Sequence, residues 1–338
     1  MPASRRDANA RVAWAEPVGS LVTDAVGRNP LTTLLVSQPN FADHLTPQGH
    51  PERADRIRAV EDALAAPQFS QLLRRNAPYG DLLLTELVHD EAYLARLRDA
   101  RPAEGMGQID SDTFISGKSL DVIATGLGGA LAALDAVLLG EVDNAFCAIR
   151  PPGHHAEIRT PMGFCLINTV AIVAREAQRK YGAERVAIVD FDVHHGNGTQ
   201  DIFKDDASVF YASSHQMPLY PGTGAPSETG VGNVVNVALP ADSGAVAMRE
   251  AYLDKILPEL DNFAPDLLLI SAGFDAHARD PLAQLEWVDE DYGWLTGKLM
   301  EVAERRCGNR IVSLLEGGYD LQGLAGGVSQ HVAALLDR

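Results

Sequence analysis

The chain is predicted to be an α/β protein with a mostly parallel sheet covered by helices on both sides, and three features of the sequence carry that expectation. Short, continuously apolar runs rich in β-branched residues recur along it, as strands buried on both faces require. Stretches with helical spacing lie between them. Polar residues suited to metal and acid/base chemistry follow the ends of the runs, where open α/β sheets gather their ligands.

Taken in order, the first run, 32–37, reads as a strand, and 51–66 carries apolar residues at helical spacing. A longer helix is expected over 119–139, followed by a strand over 144–149. The alternation continues with a helix over 166–181, strands over 185–189, 208–212 and 234–239, and a helix over 246–260. A strand over 267–270, a helix over 290–306, a strand over 310–315 and a helix over 321–336 complete it. No repeat, low-complexity tract or Pro/Gly/Ser linker divides the chain, so 1–338 is read as a single domain, with 1–30 a terminal extension to which no role is assigned.

Residues 1–11 include Arg5, Arg6 and Arg11, but the apolar stretch of roughly 7 to 15 residues that a secretory signal needs does not follow them. This segment reads as a loose terminus. With 46% hydrophobic and 22% charged residues the composition is that of an ordinary globular protein, and no run of roughly 18 apolar residues suggests a membrane span. The net charge of −18 argues against direct binding of nucleic-acid phosphates and would attract a cationic small molecule or basic peptide, although acidity for solubility is the commoner reason for such a balance. Cys147, Cys165 and Cys307 lack the spacing of a disulfide framework or a zinc knot, which fits a reducing cytoplasm.

Four of the ten histidines form two adjacent pairs, His154-His155 and His194-His195, each just after a predicted strand. Around them the text reads Arg150-Pro151-Pro152-Gly153-His154-His155 and Asp190-Phe191-Asp192-Val193-His194-His195-Gly196-Asn197-Gly198. Ala272-Gly273-Phe274-Asp275 and Glu316-Gly317-Gly318-Tyr319 also follow strands, so four strands deliver polar groups to one edge. Asp192 and His194, two apart on an extended segment, leave the same face and can meet one ion. Asp275 can complete three protein ligands with one position open, the pattern of a catalytic zinc site. Alone, the Asp-Val-His segment would be a helix cap or a buried ion pair; the three other segments favour the metal.

In a glycine-led turn the imidazoles of His154 and His155 can face a common cavity, one serving as base and acid while the other supplies positive charge. Two packed loop histidines are the alternative. Asp190 could hydrogen-bond one imidazole and favour its cation, whereas the uncharged Asn197 would orient the other without raising its basicity as much. Tyr319, behind two glycines, could donate to the oxyanion formed when water adds to an amide. Elsewhere such a tripeptide is usually a turn beside a packed tyrosine.

Together these segments resemble the histone deacetylase superfamily, which also includes acetylpolyamine amidohydrolases and acetoin-utilisation proteins. The likeness runs from Gly49-His50-Pro51-Glu52-Arg53 to Gly318-Tyr319, and Asn197, where some members have Asp, makes the chain similar to the class II branch and its bacterial relatives. The resemblance implies an arginase-like three-layer αβα sandwich with a central, mostly parallel sheet of about eight strands and a metal at the floor of a narrow tunnel. By the same likeness Asp192, His194 and Asp275 would bind one zinc ion, His155 would be the general base and acid, and His154 its electrostatic partner. Tyr319 would polarise the carbonyl, and Asp190 and Asn197 would be the partners of His154 and His155. Gly163, Phe164 and Tyr220 would line the tunnel. A monovalent cation, potassium, would be held by Asp190, Asp192, His194, Ser213 and Ser214, partly through main-chain carbonyls; the two serines could equally end a strand.

Two positions depart from the family's pattern. In Ala276-His277-Ala278-Arg279-Asp280-Pro281-Leu282, Arg279 stands where many relatives have Gly, and Leu282 stands where one polyamine-selective branch places an acidic gatekeeper. Asp110, in a segment that also holds Asp112, is assigned to the rim position that grips substrate backbone, a solvated turn being the alternative. His215 and His277 read as polar loop residues rather than as part of the mouth. Pro221-Gly222-Thr223-Gly224 lacks the lysine and helix start of a phosphate loop.

The implied activity is hydrolysis of N-acyl amides, typically acetyl, such as acetyl-lysine or acetylpolyamines, by metal-activated water. Partners would be a small acyl-amine or an acylated-lysine peptide, with neither nucleic acid nor membrane, and a homo-oligomer stays open. A binuclear manganese ureohydrolase-like enzyme is the competing enzymatic reading; it needs bridging carboxylates beyond Asp275, where the loop offers only Asp280. A non-catalytic binder of acylated ligands should have lost a ligand, a histidine or the tyrosine, and none is missing from the sequence.

Overall fold

Residues 31–337 are described by the structure, a computed structural model; the extension 1–30, with its basic stretch 1–11, lies outside the described residues. The strands are β1 (Thr33–Ser37), β2 (Leu73–Asn76), β3 (Met106–Gln108), β4 (Phe114–Ser116), β5 (Asn144–Ala148), β6 (Val186–Asp190), β7 (Val209–Gln216), β8 (Val234–Leu239), β9 (Leu267–Ala272) and β10 (Ile311–Leu315). The helices are α1 (Asp55–Leu64), α2 (Tyr93–Ala100), α3 (Ser119–Leu138), α4 (Thr169–Tyr181), α5 (Asn197–Phe203), α6 (Ala245–Ala251), α7 (Leu257–Phe263), α8 (Asp289–Cys307) and α9 (Leu321–Leu336). A π-helical turn, Tyr252–Ile256, joins α6 to α7, so the helix expected over 246–260 is one winding with a local bulge.

Eight strands form the central sheet in the order β2-β1-β5-β10-β9-β6-β7-β8, and every neighbouring pair is parallel. The continuous apolar runs follow from burial on both faces. Leu35, Phe146, Val189, Ile270 and Ile311 face a core shared with α1, α8 and α9, while Val36, Cys147, Ile188, Leu269 and Val312 face one shared with α3 and α4. Successive residues thus feed opposite layers, and the result is a three-layer αβα arrangement.

Helix ends have local causes. Asn168 accepts from Ala171 N at 3.0 Å and starts α4, while Gly182, in the left-handed region, ends it. Asp320 accepts from Gln322 N and Gly323 N and starts α9 directly after Tyr319. Asp289, Glu290 and Asp291 lie in the first turn of α8 and Arg305 and Arg306 in its last, each complementing the helix dipole.

Several elements differ from expectation. β2 is exposed along its whole length and has no apolar pattern, because an edge strand can be held by main-chain pairing to β1 alone. β3 and β4 form a separate antiparallel hairpin of three-residue strands. β7 runs to Gln216, four residues beyond the predicted end, through polar side chains that are buried because they bond one another and neighbouring loops. The helix expected from residue 51 begins only at Asp55, since Glu52 turns into the core. α3 is apolar and long enough to cross a bilayer by composition, contrary to the sequence expectation that no such run exists; 78% of that stretch is buried inside this fold, as in a core helix.

The connections place the site. From β6 the chain passes through α5 to β7 on one side, and from β9 it passes through α8 to β10 on the other, yet β6 and β9 are neighbours. Loops leaving the carboxyl ends of two adjacent strands in opposite directions open a crevice between them. Asp192 and His194 follow β6, and Asp275 follows β9.

Candidate active site and metal centre

Asp192, His194 and Asp275 offer ligand atoms that all lie within 4.8 Å of one another, and all three residues are buried. Main-chain donors fix the carboxylates. Val193 N donates to Asp275 Oδ1 at 2.8 Å, His194 N to Asp192 Oδ1 at 2.9 Å, and Gly317 N to Asp192 Oδ2 at 2.8 Å. A Cβ at Gly317 would collide with both carboxylates, so only glycine lets the β10 loop close over them. His194 Nδ1 stands 3.2 Å from Asp192 Oδ1 and 3.1 Å from Asp275 Oδ2. Burial and then the charge of Asp192 push Asp275 up to about 7; burial opposes charge on His194, but the two carboxylates raise it to about 10. Two crowded carboxylates and an imidazole converging on one point are a donor set that fits a small divalent cation. Among the described residues this is the one such cluster.

Behind the triad the histidine pair is split. The rings of His154 and His155 lie 4.1 Å apart, tilted by 43°, and of the two only His155 reaches the cavity wall, although a glycine-led turn can present both. His154 Nδ1 bonds Asp190 Oδ2 at 2.9 Å and its Nε2 lies 3.8 Å from Asp192 Oδ2. Burial opposes its charge, yet Asp190 and Asp192 outweigh that and hold the imidazole well above its ordinary range. His155 Nδ1 meets Asn197 Oδ1 at 2.7 Å; burial, then the cationic His154 and His194, push it well below. Two adjacent imidazoles therefore have opposite charge preferences.

The cavity, about 230 Å³, is lined by Asp112, His155, Gly163, Phe164, His194, Leu219, Tyr220, Leu282 and Tyr319. Gly163, at φ +57°, lets the wall touch the His155 ring, where any Cβ would strike it. The Phe164 and Tyr319 rings meet edge to face at 5.6 Å, and those of Tyr220 and His155 at 5.2 Å. Burial keeps the Tyr319 phenol well above its ordinary range, so it carries its proton.

Some expected residues lie elsewhere. On the β3–β4 side the lining residue is Asp112; Asp110 turns back to accept from Asp112 N at 3.0 Å and Thr113 N at 2.7 Å, which makes it a turn residue. Ser213 Oγ bonds His215 Nδ1 at 2.9 Å and Ser214 Oγ bonds the Tyr252 hydroxyl at 2.9 Å, so each serine has a side-chain partner at the end of β7. His215 also bonds Gly224 O and His277 bonds Asp289; neither lines the cavity. Asp280 accepts from Tyr319 N at 2.7 Å and Leu282 N at 3.0 Å. That carboxylate orders the loop and is not among the three residues whose ligand atoms converge.

A buried ionic frame went unread in the sequence. Arg150 grips Glu52, Arg56 lies 3.5 Å from the same carboxylate, and Arg56 Nε donates to Gly318 O at 2.7 Å. The Arg56 guanidinium also lies over the Tyr319 ring, 4.9 Å from its centroid. Glu316 accepts from Gly153 N at 2.6 Å and His154 N at 3.1 Å, tying the β5 and β10 loops together. Three of these residues stand inside segments already singled out, Glu52 beside His50-Pro51, Arg150 before Pro151-Pro152 and Glu316 before the glycines; their charges were visible but their partners were not.

Comparison with known proteins gives one consistent family. The histone deacetylase domain matches residues 50–335. Histone deacetylase 14, chloroplastic, of Arabidopsis thaliana is 39% identical over 313 residues, covering 86% of this chain and 73% of that protein. The histone deacetylase-like amidohydrolase of Pseudomonas aeruginosa is 38% identical, covering 84% of this chain and 74% of its own. A probable deacetylase of Archaeoglobus fulgidus is 38% identical over 87% of this chain and 83% of its own. The crystal structure of the HDA15 HD domain superposes with a TM-score of 0.84 at 34% identity, covering 90% of this chain and 88% of that one.

Proposed function

The chain belongs to the histone deacetylase family and is a hydrolase of amide bonds, and from that premise we propose that it is a zinc-dependent deacetylase acting on acetylated primary amines, acetyl-lysine or acetylpolyamines among them. The observation that carries this reading is the convergence of a buried carboxylate–imidazole triad, one imidazole of suppressed charge and one protonated phenol on a single narrow cavity. Asp192, His194 and Asp275 would hold the zinc ion, which would polarise a carbonyl and bring the pKa of water down toward neutrality.

The chain's own groups would supply the rest. His155, neutral and exposing Nε2 to the cavity, takes a proton from the attacking water and passes it to the departing amine. His154, held as a cation by Asp190, lends positive charge from behind His155. Tyr319 donates its hydroxyl hydrogen to that oxygen. Gly163, Phe164 and Tyr220 admit an extended acyl-amine and exclude bulk water, while Leu282 leaves the mouth without an acidic selector for polycations. Asp112, rather than Asp110, is assigned to grip substrate amides at the rim. Potassium, if bound near Asp190, Asp192, His194, Ser213 and Ser214, would be held partly by main-chain carbonyls, and the Ser213 hydroxyl, which donates to His215 Nδ1, keeps oxygen lone pairs for such an ion. Three buried, unpaired cysteines support a reducing compartment such as the cytoplasm.

Zinc-loaded protein assayed on acetyl-lysine peptides, acetylated diamines and acetylpolyamines tests the reading. Release of acetate from at least one class supports it. Tight binding of all of them without release would favour a non-catalytic binder, and two divalent ions per chain would favour the binuclear alternative.

A further inference from the structure

We propose that Glu157 is a positioning residue which, acting through Asn197, decides which ring nitrogen of His155 carries the proton. The proposal rests on the reading of His155 as the proton carrier. Asn197 places Oδ1 2.7 Å from His155 Nδ1 and Nδ2 2.8 Å from Glu157 Oε1, with Met162 Sδ at 3.3 Å as a second, weaker acceptor. Glu157 itself is held through its main chain. Its N–H donates to Thr160 O at 2.9 Å, and its carbonyl oxygen lies 2.9 Å from His89 Nδ1.

The polarity of this chain of bonds follows from what each group is able to do. A carboxylate only accepts, so the amide must turn its NH2 toward Glu157. Its carbonyl then faces His155, and a carbonyl also only accepts. His155 Nδ1 must therefore carry a hydrogen, which leaves the lone pair on Nε2, the ring nitrogen without a protein partner among the described residues. Reversal of the amide would set Oδ1 against the carboxylate and NH2 against Nδ1. The proton would then sit on Nε2, and His155 could take none from water in the cavity. An asparagine alone does not choose between these orientations, because its two ends are nearly the same shape. The carboxylate behind it makes the choice.

The test changes the polarity at 157 and reads both chemistry and tautomer in the zinc-loaded full chain. Imidazole 15N signals report the tautomer, with the His155 signal identified by its loss in His155→Ala. Glu157→Gln permits either direction, so kcat should fall about twofold at unchanged KM with a mixed tautomer signature. Glu157→Lys offers only donors and should reverse the amide, giving an Nε2–H signature and a fall in kcat of about tenfold or more. Adding Asn197→Asp to Glu157→Lys restores an acceptor beside Nδ1 and should recover both kcat and the Nδ1–H signature. A Glu157→Lys protein with the wild-type tautomer, or a loss of kcat that Asn197→Asp does not recover, overturns the proposal. Were Glu157→Lys to fail to fold, a pure Nδ1–H signature in Glu157→Gln would overturn it equally. The tautomer is read whether or not any acyl-amine is turned over, so an intact signature in an inactive protein counts against the deacetylase reading and not against this one.

Discussion

Arg150 and Glu52 face each other fork to fork, Nε to Oε1 at 2.7 Å and Nη2 to Oε2 at 2.6 Å, with both side chains wholly buried. Arg150 Nη1 also donates to Phe41 O and His44 O, so the end of β5 is tied to the segment before α1 by one guanidinium. Removing one member of such a pair strands the other in a low-dielectric interior. Arg150→Met should therefore cost about 3–5 kcal/mol in denaturant unfolding. Arg150→Lys should recover only part of it, since an ammonium cannot reproduce the two-pronged contact. Equal stability of Arg150→Met and wild type would show the pair to be energetically idle.

The same carboxylate sets an acid limit. Burial resists the charge of Glu52, but Arg150, then His44 and Arg56, hold its carboxyl down from 4.5 to about 2. A group lowered by folding contributes stability that is complete above its unfolded value and is lost as pH falls through the folded one. The unfolding free energy should therefore decline between pH 4.5 and about 2, by about 3 kcal/mol from this group. Glu52→Gln should flatten the decline across that window, as read from denaturant midpoints; an identical slope would assign the acid sensitivity to other groups.

Elemental analysis should find one divalent ion per wild-type chain. Asp192→Ala and Asp275→Ala should each lose it, and with it the thermal stabilisation that bound metal confers. Retention of metal by both variants would place the ion elsewhere.

Tyr319→Phe keeps the ring beneath Arg56 and the edge contact with Phe164 but removes the hydroxyl. Turnover of an acetyl-lysine peptide should fall by about 100-fold or more, the usual cost of one oxyanion donor, with metal content unchanged. A wild-type rate would remove the phenol from the chemistry.

Asp112→Asn should raise KM for acetyl-lysine peptides several-fold and leave a small acetylamine unaffected, because only the peptide offers flanking amides at the rim. Asp110→Asn keeps the acceptor that its turn needs and should behave as wild type. The opposite ranking in steady-state kinetics would return the rim role to Asp110.

How far the sequence could be read depended on the range of the interaction concerned. Seven of the central strands announce themselves as apolar runs, because strands covered by helices are mostly apolar along their length. β2 does not, since all four of its residues are exposed and it is held by main-chain pairing to β1, whereas β8, at the other edge, is partly buried and keeps its apolar run. Likewise the pairing of Asp192 with His194 is local, two residues apart on one face, and needs no fold to be seen.

By itself, then, the sequence determined the layered α/β architecture, the order of the motifs and the chemical types gathered at the strand ends, because periodicity and near-neighbour spacing are properties of the chain. Only the tertiary structure decided that His155 and not His154 reaches the cavity, that Asp112 and not Asp110 lines it, and that Glu52, Arg56, Arg150 and Glu316 tie the loops together. Those outcomes depend on groups such as Glu52 and Arg150, 98 residues apart, meeting where water is excluded. Charge and hydrogen bonding have no period in the chain, so their partners appear only once the fold has brought them together.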